Sequence, residues 1–206
     1  MSNTRVPPLP PQERDDRQAA LIVQAGAELG IYATLVRSPD VFADLLPFGQ
    51  RLLQLLPADP RARELLIMRV AWRCRAPYIW THHEVIGRAA GLTDDDLAVL
   101  AADRAGEARA GGDCAGEDRA GEDRAGDDCA GEDRDPFRAL LLRAADELVT
   151  DHRLSDPTWA AMSERYPAAQ LIEICLLVGQ YSMLAGTLNS LGVQLEEGYQ
   201  PPTWAE

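Results

Sequence analysis

The chain contains no lysine: all 20 of its basic side chains are arginines. Schiff-base chemistry and a phosphate-binding loop built on a lysine are thereby excluded. Positive charge is also outnumbered, since 33 acidic residues give a formal net charge of -13 and a pI near 4.6. No nucleic-acid partner is expected, because displacing counterions from phosphates takes a basic surface. Histidine numbers three and cysteine four, no Cys-x-x-Cys occurs, and no His/Cys cluster has zinc-site spacing. No metal is therefore predicted. The opening MSNTRVPPLPPQERDD lacks an apolar signal-like region, and no later segment offers about 18 uninterrupted apolar residues, so a cytoplasmic protein with reduced thiols and no membrane partner is expected. No run alternates in strand register. The predicted class is all-α, a helical bundle.

What is present is enough for one core, with 206 residues of which 46% are hydrophobic. Residues 1–16 read as an extended, proline-rich arm, and helical spacing of apolar residues then predicts a first helix over about 13 to 35. Ser38-Pro39 starts a second helix through Leu55, with Pro47 and Gly49 marking a kink or break. Asp59-Pro60 and Ala76-Pro77 each start a helix, because a proline in the first turn gives up an N–H that has no helical partner. Together they predict a central hairpin over 60–91, ending at Gly91. Thr93 and Asp96 form an approximate capping box for a short helix that completes an N-terminal block over 17–104.

From 105 to 135 the pattern collapses into AGEDRAGEDRAGDDCAGEDRD. Between Asp103 and Asp135 there are 12 acids against 5 arginines, about half of the net negative charge. This segment has too little apolar content to offset the entropy of ordering, and it reads as a disordered acidic insert. Cys114 and Cys129 fall within it in equivalent repeat contexts. Helical order resumes at Asp135-Pro136 and continues over 136–198, with further starts at Ser155 and Pro167. The residues 199–206 form an expected extended tail.

Within the hairpin, Glu64 borders the apolar run Leu65 to Trp72, where a carboxylate is costly unless paired. His83 lies on the helix face shared by Ile79, Ile86 and Ala90. If the two helices pack antiparallel, both groups reach one pocket, a condition for general acid–base work near neutral pH. A structural Glu–His hydrogen bond or a Glu64–Arg pair is the plainer alternative. Arg69, inside an apolar helix, needs an anion: Glu64, another acid or a substrate carboxylate. Trp72, Tyr78 and Trp80 suit either a pocket wall or core packing. His82 points about 100° away from His83 and reads as a partly exposed polar residue. His152 fits a helix C-terminus, and Cys74 and Cys175 fit the core.

The segment RARELLIMRVAWRCRAPYIWTHHEVIGRAAGLTDDDLAVL, over about 60–100, resembles the core motif of the carboxymuconolactone decarboxylase-like family, which includes alkylhydroperoxidase D. LVRSPDVF, LLRAADELVTDHRLSDPTWAAMSERY and LVGQYSMLAGTLNSLGV resemble one branch of it, so the likeness covers most of the chain outside the insert. Peroxidase members of that family carry Glu, eleven residues, Cys, two residues, Cys, three residues, His. Glu64 and His83 match the outer positions, whereas Ala76 and Ile79 stand where the cysteines would be. The thiol that attacks peroxide and the thiol that resolves it are both missing.

The resemblance implies an alkylhydroperoxidase D-type bundle and a homo-oligomer, trimeric or hexameric. Together with the residues it leads to an expected acid–base chemistry, decarboxylase- or lyase-like, on a small carboxylate or lactone. Glu64 and His83 would shuttle protons, Arg69, Tyr78 and Trp80 would bind substrate, and no cofactor is called for. Peroxiredoxin-type activity is implied by the family but lacks its thiols. A non-catalytic helical oligomer holding a small ligand is the alternative outside enzymes.

Overall fold

A computed structural model of the protein describes residues 4–55, 59–102 and 135–205. Among these residues the regular structure is helical and no strand occurs, as the sequence predicts. Residues 105–134 of the predicted acidic insert lie outside the described residues.

Helices α1 (Asp16–Ala25) and α2 (Gly30–Leu35) replace the single helix predicted over 13–35. The break is at Gly26, which adopts φ 80° and closes α1 by donating its N–H to the carbonyls of Ile22 and Val23. That left-handed cap is open to glycine without a Cβ penalty, and it overrides an apolar spacing that continues on both sides. Helix α3 (Pro39–Leu55) runs through Pro47 as one element.

Helices α4 (Pro60–Arg73) and α5 (Pro77–Ala89) form the central hairpin, each with proline in its first turn. Asp59 caps α4 by accepting from the Ala62 N–H at 2.9 Å. The tight connection places Arg75 at φ 49°, a strained value for a residue with a Cβ. Asn189 holds it by donating to the carbonyls of Cys74 and Arg75 at 3.0 and 3.1 Å. Helix α6 (Asp94–Leu100) has the Thr93–Asp96 capping box, α7 (Pro136–Thr150) is capped by Asp135, and α8 (Asp156–Ser163) by Ser155. Helix α9 (Ala168–Leu191) ends at the left-handed Gly192.

Helix α4 is buried continuously from Glu64 to Trp72, enclosed by α5, α7 and α9. This main core is joined by a smaller cluster of Leu9, Leu21, Ile22, Val36, Phe42 and Leu46 from the N-terminal third. By length and composition α9 could cross a membrane, with mean hydropathy 1.5, and 44% of that window is buried within the fold. Its outer side leaves Ile172 and Met183 uncovered, 61% and 48% exposed.

Two arginines of α4 fix the chain on either side of the insert. Arg69 is 1% exposed and grips Asp146 of α7 with two hydrogen bonds of 2.7 Å. Its remaining nitrogen donates to the carbonyls of Leu100 and Ala102, both at 2.8 Å. Arg61 binds Asp96 at 2.6 Å and reaches Asp135 at 3.4 Å. Arg138 adds a bond to Asp96 at 2.8 Å. With these partners and the Thr93 N–H outweighing burial, the Asp96 carboxyl is held down at about 2.

The described parts of the proline-rich arm and of the tail lie against the body. Leu9 of the arm is buried, and its N–H donates to the Ala33 carbonyl at 2.7 Å. In the tail, Trp204 meets Trp72 and Trp80 edge-on, with ring centroids 5.2 and 5.7 Å apart.

Candidate active site

Glu64 sits in the second turn of α4, fully buried, and faces α5 across the hairpin. One carboxylate oxygen lies 2.7 Å from Nδ1 of His83, and the other accepts from Nε of Arg63 at 2.8 Å. Burial opposes the charge on Glu64, but the His83 and Arg63 hydrogen bonds and charges together outweigh it and hold the carboxyl below its usual range. A carboxylate can only accept, so in the neutral imidazole Nδ1 carries the proton. That leaves Nε2 as the basic nitrogen, with no partner among the described residues. The Tyr181 ring meets the His83 ring edge-on at 5.1 Å and fixes its plane.

His83 forms part of the wall of a cavity of about 200 Å³ in the seam between the main core and the N-terminal cluster. Its lining is mostly apolar, drawn from α2, α3, α5 and α9, and includes Leu35, Phe42, Leu46, Ile79 and Leu184. The polar groups in the wall are few: Tyr32, Gln50, Tyr78, His82, His83, Gln180 and Tyr181. This is the usual build of a small-molecule site, an apolar hollow with a few directional groups. Burial pushes the Tyr181 phenol far up, so it stays protonated and can donate.

A second carboxylate–imidazole pair stands beside the first. Glu196, from the segment after α9, binds Nε2 of His82 at 2.8 Å and accepts from the Tyr78 hydroxyl at 2.7 Å and the Gly30 N–H at 2.6 Å. The Tyr78 hydroxyl in turn accepts from the Ile31 N–H at 3.1 Å. Burial disfavours charge on Glu196, but hydrogen bonds, those from Tyr78 and Gly30 foremost, outweigh it and keep its carboxyl below the usual range. Glycine at 30 suits this close approach, since a Cβ there would lie 3.2 Å from the Gln194 carbonyl oxygen, a tight contact. The rings of Tyr78 and Tyr199 flank His82, each with its centroid 4.6 Å away.

Of the residues that the sequence singles out, Glu64, His83 and Tyr78 meet at this site. Arg69 and Trp80 do not. Arg69 spends its donors on Asp146 and two carbonyls, so it is not free to hold a substrate carboxylate. Trp80 lies in the aromatic cluster with Trp72 and Trp204 and is absent from the cavity wall. His82, expected as a partly exposed polar residue, is partly exposed, its side chain at 13%, and it also lines the cavity and binds Glu196. Of the two positions where peroxidases of the resembled family carry cysteine, Ile79 lines the cavity and Ala76 is fully buried. Cys74 and Cys175 are both free, and burial raises both thiols, the opposite of what a reactive thiolate needs.

Sequence reasoning missed Gln180, Tyr181 and Glu196. A signal existed for the first two, since Gln180-Tyr181 is a polar break in the otherwise apolar middle of α9. Among the described residues no cluster of His, Cys, Asp and Glu could hold a metal ion. No family model, curated protein or solved structure matches the chain.

Proposed function

We propose that the protein is an enzyme of general acid–base type that moves a proton on a small lactone or other carbonyl compound held in the seam cavity. The observation that carries this reading is His83, oriented through Nδ1 by a buried carboxylate and presenting an unpartnered Nε2 at an apolar cavity. Nε2 takes the proton from the carbon next to the carbonyl, and the electron pair moves onto the carbonyl oxygen. The imidazolium, stabilised by Glu64, then returns the proton at the same or a conjugated carbon. Tyr181, kept protonated, supplies a donor for the developing oxyanion. A version in which arginine holds a substrate carboxylate during decarboxylation is not carried forward, because Arg69 is fully engaged elsewhere.

The test is deuterium exchange at the α-carbon of a neutral unsaturated lactone, α-angelica lactone, followed by proton NMR in heavy water. Acceleration that His83→Ala and Glu64→Gln both remove supports the reading. Exchange no faster than in buffer, for this lactone and for simple ketones, would overturn it in favour of a ligand-binding role for the same cavity.

The expected homo-oligomer is also carried as a proposal, supported by the uncovered apolar side of α9 at Ile172, Leu176 and Met183. Light scattering that finds a monomer at micromolar concentration would remove it.

A further inference from the structure

Gln180 is 6% exposed, lines the cavity, and its amide makes no hydrogen bond with any described residue. The amide opens on the cavity instead of being sealed in the core, so a molecule that fills the space would desolvate it at a cost on the order of 1–3 kcal/mol unless that molecule supplies the partner. The side chain reaches toward α3, where its nitrogen would lie 3.7 Å from a Cβ on Gly49. In chain order its neighbour is Tyr181, whose hydroxyl also has no partner among the described residues and whose ring touches His83. The Gln180 amide, the Tyr181 hydroxyl and Nε2 of His83, with the Tyr32 hydroxyl as a fourth polar group lacking a partner among the described residues, thus belong to one cavity wall that is otherwise mostly apolar.

The charge of the occupant follows from what the wall lacks. No arginine lines the cavity, and the chain has no lysine. The nearby Arg63 is held by Glu64 and by the Leu53 carbonyl at 2.7 Å. A carboxylate entering here would lose its hydration without meeting a permanent cation, and Glu64 would repel it. Size follows from volume: an apolar cavity of ~150 Å³ accepts a benzene-sized molecule, so one of about 200 Å³ takes a ring with a short substituent.

The geometry points to Gln180 as the specificity-determining residue of this site, selecting a neutral, ring-sized apolar molecule by hydrogen-bonding its single carbonyl or hydroxyl group and excluding its carboxylate counterpart. This deepens the proposed function and rests on the cavity being the substrate site. The Gln180 amide donates to the carbonyl oxygen from α9, and Tyr181 shares that oxygen or donates to its second lone pair.

The experiment measures binding of three probes to the full chain by ligand-observed NMR titration: acetophenone, the isosteric hydrocarbon ethylbenzene, and benzoate. Acetophenone is expected to bind about tenfold more tightly than ethylbenzene, the value of one hydrogen bond of about 1.4 kcal/mol. Benzoate is expected to bind more weakly than either. Gln180→Leu should cut the preference for the ketone severalfold while ethylbenzene affinity holds or improves, and Gln180→Met repeats the test with an unbranched side chain should the first variant fail to fold. Benzoate binding as tightly as acetophenone, an undiminished ketone preference in both variants, or no binding of any probe would each overturn the assignment. His83→Ala separates the two readings. Ketone selectivity without α-proton exchange would defeat the proposed chemistry alone, and exchange indifferent to Gln180 would defeat this inference alone.

Discussion

Replacing Glu64 by glutamine keeps the volume of a fully buried side chain and removes its charge. Two donors lose a charged acceptor, Nδ1 of His83 at 2.7 Å and Nε of Arg63 at 2.8 Å. Hydrogen bonds to charged groups contribute roughly 1.5–3 kcal/mol each, and the amide oxygen can replace one of them in part. A loss of about 3 kcal/mol is expected, or roughly 6–12 °C in melting temperature for a domain of this size. The imidazole should respond as well. With an amide N–H toward Nδ1, the neutral ring moves its proton to Nε2 and no longer offers a base to the cavity. Where the orienting carboxylate of a catalytic histidine is neutralised in this way, rates fall on the order of 10⁴-fold.

Nitrogen-15 NMR of the histidine rings reads the tautomer without any substrate. The wild-type protein should show His83 with the proton on Nδ1, and the variant should show it on Nε2. The pH dependence has a definite sign. The Glu64 carboxyl is lowered in the folded protein, so its contribution is complete above the unfolded value near 4.5 and is lost as pH falls through the lower folded value. The gap between wild-type and variant melting curves should therefore close in acid. An unchanged tautomer together with an unchanged melting temperature would refute the reasoning.

Arg69→Met should destabilise by about 3 kcal/mol, since it strands two carbonyls and leaves Asp146 with only Arg73 at 3.5 Å, while ligand binding in the material that folds is unaffected; the pair Arg69→Met with Asp146→Leu should recover much of the loss by calorimetry. Asp96, 1% exposed and held down at about 2 from an ordinary 3.8, should supply about 2 kcal/mol that is present above pH ~4 and disappears as pH falls through 2, so Asp96→Asn should flatten the acid limb of a stability-against-pH curve. Trp204→Ala should cost roughly 1–3 kcal/mol and change the fluorescence of Trp72 and Trp80, whose rings it meets edge-on; identical emission spectra would mean that the tail does not dock in solution.

What could be read from the sequence was what local chemistry decides. Asp59-Pro60, Asp135-Pro136, Ser155 and the Thr93–Asp96 box all mark helix starts because a cap acts within three or four residues. The Glu64–His83 pair was legible for a similar reason, since both sit on consecutive helices of one hairpin. The break at Gly26 was harder, because apolar residues keep helical spacing on both sides and only the left-handed φ of the glycine shows the stop. The fate of Arg69 was out of reach: its acid, Asp146, lies across the insert, and nothing local distinguishes it from other acids. The angular offset of His82 from His83 accounts for its partial exposure but says nothing of its partner. The cavity wraps far enough around α5 to include both, and Glu196, which binds His82, comes from the far end of the chain.

The anchoring of Ala102 and Asp135 to α4 separates two properties that usually constrain each other, the length of a chain segment and the accuracy of the site it interrupts. Arg69 fixes the exit of the strand of sequence after α6, and Arg61 with the Asp135 cap fixes the re-entry into α7. Glu64 lies between these two arginines on the same helix, yet its geometry depends on α5 and α9. Repeat units can therefore be gained or lost between the anchors without moving Glu64 or His83. The same junction is a natural port for a reporter domain or an affinity handle, spliced into the middle of the gene between the Ala102 and Asp135 anchors.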